Sequence, residues 1–419
     1  MAQLKPVPLT ISTSASAVVS SSGDGGSHLV PSAYAHQAGS MVKDGRFRGA
    51  YVHVPFCRHK CHYCDFYSFV DTQDRGLAYV ERLEKELEDA REFLTTPIET
   101  VFVGGGTPTM LGADLLRRSL ASIRRLLPIA ADAEWSVEAN PETVDEAIAD
   151  ALAQSGVRRV SLGAQSFNPA LLKELERDHD PASVERSVAL LRRAGIPEIN
   201  LDLIFAIPNS TIADWESDIC RAIAIGPDHL SAYGLIYEPN TPLAVKLAKG
   251  AVTRLPEDDE AEQYEFVVEK LAAAGYERYE ISNWSLRGKQ CRHNILYWQN
   301  ADWWGFGPSA ASHGQGVRWR NIPRLATWLE YRSSAPVENI ERLDADGRAG
   351  EAFMLGLRLI EGMAHARVEE LLHDGERSRM RRVAIEKFTR DGLLESVDGR
   401  LRLSVRGLMI ADTVLCALI

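Results

Sequence analysis

The chain has 419 residues, with 47 Lys and Arg against 58 Asp and Glu, so its formal net charge is −11. Hydrophobic residues make up 45% and charged residues 25%, an ordinary globular composition that allows two or three domains or one large barrel with attachments. The acidic balance argues against a nucleic-acid partner, since nonspecific binding to phosphates requires a basic surface. No apolar run approaches the length of a membrane span and no signal peptide stands at the start, which predicts a cytoplasmic location.

The amino-terminal segment has a biased composition. Nine Ser and four Gly stand in its first 40 residues, with little hydrophobic periodicity. Such a segment buries too little apolar surface to offset the entropy lost on ordering. We therefore predict that residues 1–47 form a disordered Ser/Gly-rich leader. A transit peptide is the alternative, although the segment has no Arg before Arg46.

From residue 50, short β-branched or aromatic runs alternate with segments of helical periodicity. The predicted strands are Ala50–Val54, Thr100–Val103, Glu134–Glu138, Arg158–Leu162, Ile199–Phe205 and His229–Ile236. Between the first two, apolar residues recur at three- and four-residue spacing from Leu77 to Ala90, which predicts an amphipathic crossover helix. Six successive strand–helix units predict an α/β fold, a partial (β/α)6 TIM-type barrel over residues 48–285.

The carboxy-terminal third has a different pattern. Residues 286–334 are predicted to pack on the barrel, and residues 335–419 to form a small α+β, winged-helix-like domain. Its helical patterns at Ala349–Leu359 and Arg377–Arg390 precede a short hairpin. Arg377, Arg379, Arg381 and Arg382 could follow a phosphate backbone, but Glu376 and Glu386 favour a solvated helix face.

Three of the six cysteines crowd into one short loop. Cys57, Cys61 and Cys64 have C-x3-C-x2-C spacing directly after the first strand, which indicates metal ligation in a reducing compartment. A structural zinc ion would need a fourth ligand, which His59 or His62 could supply. A cubane iron-sulfur cluster on three cysteines would instead leave one iron open to a substrate or cofactor.

Other polar or special residues fall at equivalent places on the predicted barrel. A triple glycine, Gly104-Gly105-Gly106, follows the second strand, where the absence of Cβ atoms allows close approach to a ligand. Glu138, Gln165 and Asp202 lie at the carboxyl ends of the third, fourth and fifth strands. That rim is where active sites of parallel α/β barrels are built, although a single carboxylate there could simply cap a loop.

These residues resemble the radical S-adenosylmethionine (SAM) superfamily, and the resemblance covers residues 48–419. The motifs that carry it are Tyr51-Val52-His53-Val54-Pro55-Phe56-Cys57, Gly104-Gly105-Gly106-Thr107-Pro108, Glu138-Ala139-Asn140-Pro141, Gly163-Ala164-Gln165-Ser166-Phe167 and Asn200-Leu201-Asp202-Leu203-Ile204. Together they are similar to the branch that contains oxygen-independent coproporphyrinogen III oxidases and HemW-type haem chaperones.

The resemblance implies a role for each matching residue. Cys57, Cys61 and Cys64 would hold a [4Fe-4S] cluster whose fourth iron is chelated by SAM. The other implied cofactor contacts are Tyr51, Tyr63, Gly105, Gly106, Thr107, Glu138, Gln165, Arg177 and Asp202. In the superfamily the reduced cluster donates an electron to SAM and releases a 5′-deoxyadenosyl radical. Glu176 stands where the family pattern leads us to expect glycine.

Two features distinguish the branches. The oxidases carry a further cysteine two residues after the third ligand, where this chain has Phe66. The segment His293-Asn294-Ile295-Leu296-Tyr297-Trp298 matches the H-N-x-x-Y-W pattern that resembles the haem-binding motif of the chaperones. His293 is therefore expected to be solvent-accessible beside aromatic residues and to ligate haem iron. The alternative is that His293 forms hydrogen bonds inside a Trp-rich core and never touches iron.

We therefore predict a haem chaperone that passes haem to apo-haemoproteins and carries a [4Fe-4S] cluster, SAM and haem. The enzymatic alternative is a radical SAM decarboxylase of coproporphyrinogen III in porphyrin biosynthesis, and the third is a zinc-stabilised binding module. The family resemblance implies respiratory enzymes at the membrane among the recipients, hence a peripheral membrane contact. A homodimer is left open.

Overall fold

Residues 42, 45–331 and 336–419 are described by the computed structural model of the chain. Its strands are β1 (Gly49–Val54), β2 (Ile98–Gly105), β3 (Ile129–Ala139), β4 (Arg159–Gln165), β5 (Glu198–Phe205), β6 (His229–Gly234), β7 (Glu277–Arg278), β8 (Asn283–Ser285), β9 (Trp303–Phe306), β10 (Ala311–Gly314), β11 (Val317–Asn321), β12 (Val337–Arg342), β13 (Met363–Ala364), β14 (Leu394–Val397) and β15 (Arg400–Leu403).

Helices connect these strands. They are α1 (Gly76–Ala90), α2 (Gly112–Leu126), α3 (Glu146–Gln154), α4 (Pro169–Glu174), α5 (Pro181–Ala194), α6 (Ile212–Ile225), α7 (Pro242–Ala248), α8 (Glu257–Ala273), α9 (Arg292–Trp298), α10 (Leu325–Glu330), α11 (Ala345–Gly356), α12 (His365–Leu371), α13 (Glu376–Arg390), α14 (Val405–Met409) and α15 (Ala411–Cys416). None of the described helices is long and apolar enough to cross a bilayer.

The centre of the molecule is a parallel sheet in which β1 to β6 lie side by side in chain order. Strand β9 pairs parallel with β1 at one edge, and β8 pairs antiparallel with β6 at the other, so β1 and β6 do not close on each other. The predicted α/β fold with a partial six-unit barrel is confirmed. All six predicted strands are present, with ends that differ by a few residues.

Local sequence signals explain where several connecting helices begin and end. Thr211 and Asp214 form a reciprocal capping box at the start of α6, and Gly226 ends that helix in the left-handed conformation. Asp145 caps α3 by a single hydrogen bond, which its side chain accepts from the backbone N–H of Ile148. These caps fix the turns, so the strand ends on which the site depends emerge at one rim.

The predicted disordered leader, residues 1–47, was given an end too far along the chain. Residues 1–41, 43 and 44 lie outside the described residues, but Phe47 is fully buried and packs edge-on against Trp304 and Trp319. Val42 is buried in the same core. Burying the aromatic ring of Phe47 against these two tryptophans stabilises the fold, so Phe47 belongs to the barrel.

The carboxy-terminal part contains a second core and a three-stranded sheet of β13, β15 and β14. Strand β12, which we expected in this domain, pairs instead with β11 and extends the large sheet. Arg381 was expected on a solvated helix face. It is buried and donates hydrogen bonds to the backbone oxygens of Leu418 and Ile419, both at 2.8 Å, so it anchors the end of the chain.

Candidate functional site

The cysteine loop leaves the carboxyl end of β1 and is held by its own lysine. The Lys60 ammonium donates hydrogen bonds to the Phe66 backbone oxygen and to Ser68 Oγ (3.0 Å), and lies 4.0 Å from Cys64 Sγ. Burial raises the pKa of the Cys64 thiol to about 11, and the Lys60 charge opposes this shift. Lys60 is a positioning residue that sequence reasoning missed, although its place between two of the cysteines was visible.

The three cysteines of this loop are free thiols. Thr107 Oγ1 lies 3.8 Å from Cys57 Sγ, and Arg177 Nη1 lies 3.5 Å from Cys61 Sγ. In the part of the chain that the structure describes, no three His, Cys, Asp or Glu side chains converge as the ligands of one metal ion would. The thiolates of a cubane bind three different irons and need not converge in this way.

The glycine loop packs against the start of the cysteine loop. A Cβ atom on Gly106 would lie 2.7 Å from the Phe56 oxygen and 2.8 Å from the Val54 oxygen, so only glycine fits there. Gly105 has a positive φ of 103°, and its N–H donates to Glu138 Oε2 at 2.9 Å. The strands thus bring the glycine loop and Glu138 together at the rim.

Two half-buried carboxyl groups, those of Glu138 and Asp202, lie near the carboxyl ends of β3 and β5. Burial raises the pKa of Glu138 to about 7, the Gly105 N–H opposes the rise, and the Asp202 charge adds to it. Burial also raises the pKa of Asp202, whose carboxylate accepts hydrogen bonds from Ser161 Oγ (2.6 Å) and Asn200 Nδ2 (2.8 Å). A site with two partly desolvated carboxyl groups suits a ligand with a positive charge or several hydroxyls.

Of the remaining predicted contacts, Arg177, Gln165 and Tyr63 lie near one another, and Tyr51 lies beside His53 and Phe102. Arg177 Nη2 donates to the Gly163 oxygen at 2.8 Å, while its buried Nε has no hydrogen-bond partner among the described residues. Gln165 has a positive φ of 62°, a strained conformation that often marks functional sites. Tyr63 is half-buried beside Cys61, and burial raises its pKa. Tyr51 contacts His53 Nδ1 through its hydroxyl at 2.9 Å.

These residues fit an iron-sulfur cluster with SAM. Three thiols supply the soft ligands a cluster requires, and the open glycine loop leaves room for backbone contacts to the cofactor. The orphaned Arg177 Nε and the half-buried Glu138 and Asp202 offer a donor and two acceptors for its charged and hydroxyl groups. An opening of about 530 Å³ beside the loop is lined by His59, Leu172, Lys173, Arg177 and His179, among others.

His293 lies elsewhere, at the opposite end of the strands. Its Nδ1 contacts Thr100 Oγ1 (2.8 Å), near the start of β2, and its Nε2 contacts the Tyr297 hydroxyl (2.8 Å). The ring stacks on Phe102, with centroids 5.2 Å apart. Thr100 and Gly105 are five residues apart on β2, which is about 17 Å along an extended strand. The structure therefore does not bring His293 together with Gly105 at the rim, although Tyr51 stacks on the other neighbour of the His293 ring, Phe102.

The expectation that His293 is solvent-accessible is wrong. Only 1% of the residue is exposed, and burial lowers the pKa of its imidazole to about 3. The i, i+4 spacing of His293 and Tyr297 in α9 puts both side chains on one helix face, so the motif itself supplies the partner that closes over the ring. Iron ligation by His293 requires at least one of its two hydrogen bonds to break.

Helix α9 is fixed to the barrel by a buried carboxylate. Glu134 Oε2 accepts from the Arg292 N–H (2.9 Å), and Oε1 accepts from the His293 N–H (3.1 Å) and faces Cys291 Sγ at 3.4 Å. Cys291, the residue before the helix, provides no side-chain cap. Glu134 therefore serves as the cap from a neighbouring strand, a contact that no local sequence pattern announces.

Comparison with known proteins agrees with this architecture. Residues 51–219 match the radical SAM superfamily and residues 343–410 match the HemN C-terminal domain. The chain is 38% identical over 377 residues to the haem chaperone HemW of Mycobacterium tuberculosis, covering 88% of this chain and 94% of the relative. It is 32% identical to the HemW of Escherichia coli, covering 87% and 96% of the two chains.

A solved structure shares the whole fold. The radical SAM enzyme coproporphyrinogen III oxidase (HemN) of Escherichia coli superposes with a TM-score of 0.77 at 20% identity, covering 91% of this chain and 92% of the other. At that identity the likeness shows the fold alone. The extent and identity of the matches to the curated chaperones are decisive for the family, and the chain belongs to the HemW family of radical SAM proteins.

Proposed function

We propose that this protein is a haem chaperone that binds haem and transfers it to apo-haemoproteins, while holding a [4Fe-4S] cluster and SAM at the barrel rim. The observation that carries the proposal is the similarity to HemW chaperones over nearly nine-tenths of the chain. The cysteine loop, the glycine loop and the half-buried carboxyl groups of Glu138 and Asp202 support the rim site. When bound, the cluster and SAM supply one-electron chemistry there.

The protein's own residues have separable tasks in this proposal. Cys57, Cys61 and Cys64 hold the cluster, and Lys60 keeps their loop closed. Gly105, Gly106 and Thr107 contact the amino-acid part of SAM, and Tyr51 and Tyr63 flank it. Glu138, Gln165, Arg177 and Asp202 bind its ribose and charged groups. His293 contacts haem after its hydrogen bond to Tyr297 opens.

The position of Phe66 favours the chaperone over the decarboxylase. The residue follows the third cysteine by two positions, where the oxidase pattern has a fourth cysteine, and its side chain cannot supply a thiol. Phe66 is also 63% exposed. Respiratory recipients at a membrane and a homodimer stay predictions of the family resemblance.

A haem-transfer assay tests the proposal. The protein is reconstituted anaerobically with iron and sulfide, loaded with haem and mixed with an apo-haemoprotein, whose absorbance reports haem arrival. We expect transfer, iron rather than zinc on metal analysis, and no loss of propionate carboxyl groups from coproporphyrinogen III. Decarboxylation without haem transfer would favour the enzymatic alternative, and a colourless zinc protein would favour a structural metal module.

A further inference from the structure

The Tyr297 hydroxyl contacts Nε2 of His293, the ring nitrogen that is placed to bind iron. Thr100, on β2, contacts Nδ1, and the half-buried Tyr297, one turn further along α9, contacts Nε2. A metal-ligating histidine commonly donates its other ring N–H to a protein oxygen, which orients the ring. Thr100 is placed to accept from Nδ1–H, and in that tautomer the Tyr297 hydroxyl donates to the Nε2 lone pair.

Tyr297 also shields the ring physically. Its aromatic ring lies edge-on to His293, with centroids 4.7 Å apart, and edge-on to Trp303 at 4.6 Å. His293 is buried, whereas Tyr297, Trp298 and Trp303 are each partly exposed. Displacing the Tyr297 side chain would therefore free His293 Nε2 beside the partly exposed Trp303, while the Thr100 contact could stay in place.

We infer that Tyr297 is a gate: in the closed state its hydroxyl satisfies His293 Nε2, and haem binds when the tyrosine moves aside and iron takes that nitrogen. This inference rests on the proposed function, because it requires haem to be the cargo. It assigns opposite roles to the two hydrogen bonds of His293. The Tyr297 bond competes with iron, and the Thr100 bond orients the ring for iron.

The opposite roles give opposite predicted effects. Tyr297→Phe removes the hydroxyl and keeps the ring, so the closed state loses a hydrogen bond and leaves Nε2 unpaired. A net hydrogen bond of about 1 kcal/mol corresponds to about fivefold, so haem should bind about fivefold more tightly. Thr100→Val keeps the shape of the side chain but removes the oxygen that orients the ring, and haem should bind more weakly.

The test is an anaerobic haem titration of the full chain, wild type beside Tyr297→Phe, Thr100→Val, His293→Ala and the double variant Tyr297→Phe/His293→Ala, with folding checked by circular dichroism. We expect Tyr297→Phe to bind haem more tightly than wild type, and Thr100→Val and His293→Ala to bind it more weakly. His293→Ala and the double variant should have equal haem affinity, because the tyrosine acts through the histidine.

The outcomes separate the gate from the proposed function. If wild type binds no haem, the proposed function fails. If wild type and His293→Ala bind haem equally well, the gate is refuted and the chaperone function stands. The same conclusion follows if His293→Ala loses haem binding but Tyr297→Phe binds haem no more tightly than wild type. Tighter binding by Thr100→Val and weaker binding by Tyr297→Phe would mean that iron takes Nδ1, which also refutes it.

Discussion

At the scale of single residues, we expect the proposed SAM contact of Glu138 to make SAM binding dependent on pH. Its pKa is raised to about 7 by burial, so the carboxyl is largely protonated below pH 7 and ionised above it. A positively charged ligand prefers the ionised form, so we expect SAM affinity to rise as pH increases from 6 to 8, by at most about tenfold per pH unit below the pKa. Calorimetric titration of the reconstituted protein across this range would measure the effect.

Glu138→Gln is the matched variant for this prediction. It keeps the size of the side chain and cannot ionise, so its SAM affinity should be flat between pH 6 and 8. Gly105 would still have an oxygen to donate to. A variant that retained the full slope would assign the titration to another group, and our account of Glu138 would be wrong.

The sequence predicted which residues stand at the rim but not how His293 is held. Strand periodicity and the motifs located Cys57, Gly105, Glu138 and Asp202, because parallel strands end at the same side. The partners of His293 depend on long-range contacts: Thr100 is 193 residues away and Glu134 is 159 residues away from it. No local pattern encodes such pairs, and so the buried histidine was expected at the surface.

At the scale of elements, Glu134 should be worth more to stability than an ordinary helix cap. Its carboxylate accepts two backbone hydrogen bonds at the start of α9 and lies 3.8 Å from the buried Arg159. Glu134→Ala removes these bonds and leaves Arg159 with less compensating charge. We expect a loss of about 2–4 kcal/mol in the free energy of unfolding, measured by urea denaturation.

An exposed acidic residue at another helix start is the control. Glu376 lies in the first turn of α13 and its side chain is exposed, so Glu376→Ala should change the free energy of unfolding by no more than about 0.5 kcal/mol. Equal losses in the two variants would show that the Glu134 contacts contribute nothing beyond a surface helix dipole effect.

Element boundaries show where sequence reasoning was limited. The interiors of the six predicted strands were located correctly, because short runs of β-branched and aromatic residues are typical of strands. The assignment of Phe47 to the leader and of β12 to the carboxy-terminal domain was wrong because both depend on tertiary partners: Trp304 and Trp319 for Phe47, and β11 for β12. Pairing across a sheet edge cannot be read from one strand alone.

At the scale of the whole molecule, the two candidate binding regions lie at opposite ends of the parallel strands. The cysteine loop follows the carboxyl end of β1, and His293 contacts Thr100 near the amino end of β2. Phe102 stacks on both His293 and Tyr51, but among the described residues the three cysteines share no hydrogen-bond or ring partner with His293. Positions without a shared partner usually behave additively. We expect the triple variant of Cys57, Cys61 and Cys64 to Ser to lose its cluster but to keep its haem affinity within about twofold.

Iron analysis and haem titration of that triple variant, beside the reconstituted wild type, check this separation. Loss of haem binding together with the cluster, in a variant that still shows a cooperative unfolding transition, would contradict independent sites. That result would mean either that haem binds at the rim or that the Tyr297 side chain moves aside only when the cluster is present.

The central claim is that this chain carries haem through His293, and anaerobic haem titration of the reconstituted wild type against His293→Ala tests it most directly. We predict saturable one-to-one binding by the wild type and clearly weaker binding by the variant. Equal binding by both proteins would contradict the assignment of His293, and the absence of specific haem binding in either would contradict the chaperone function itself.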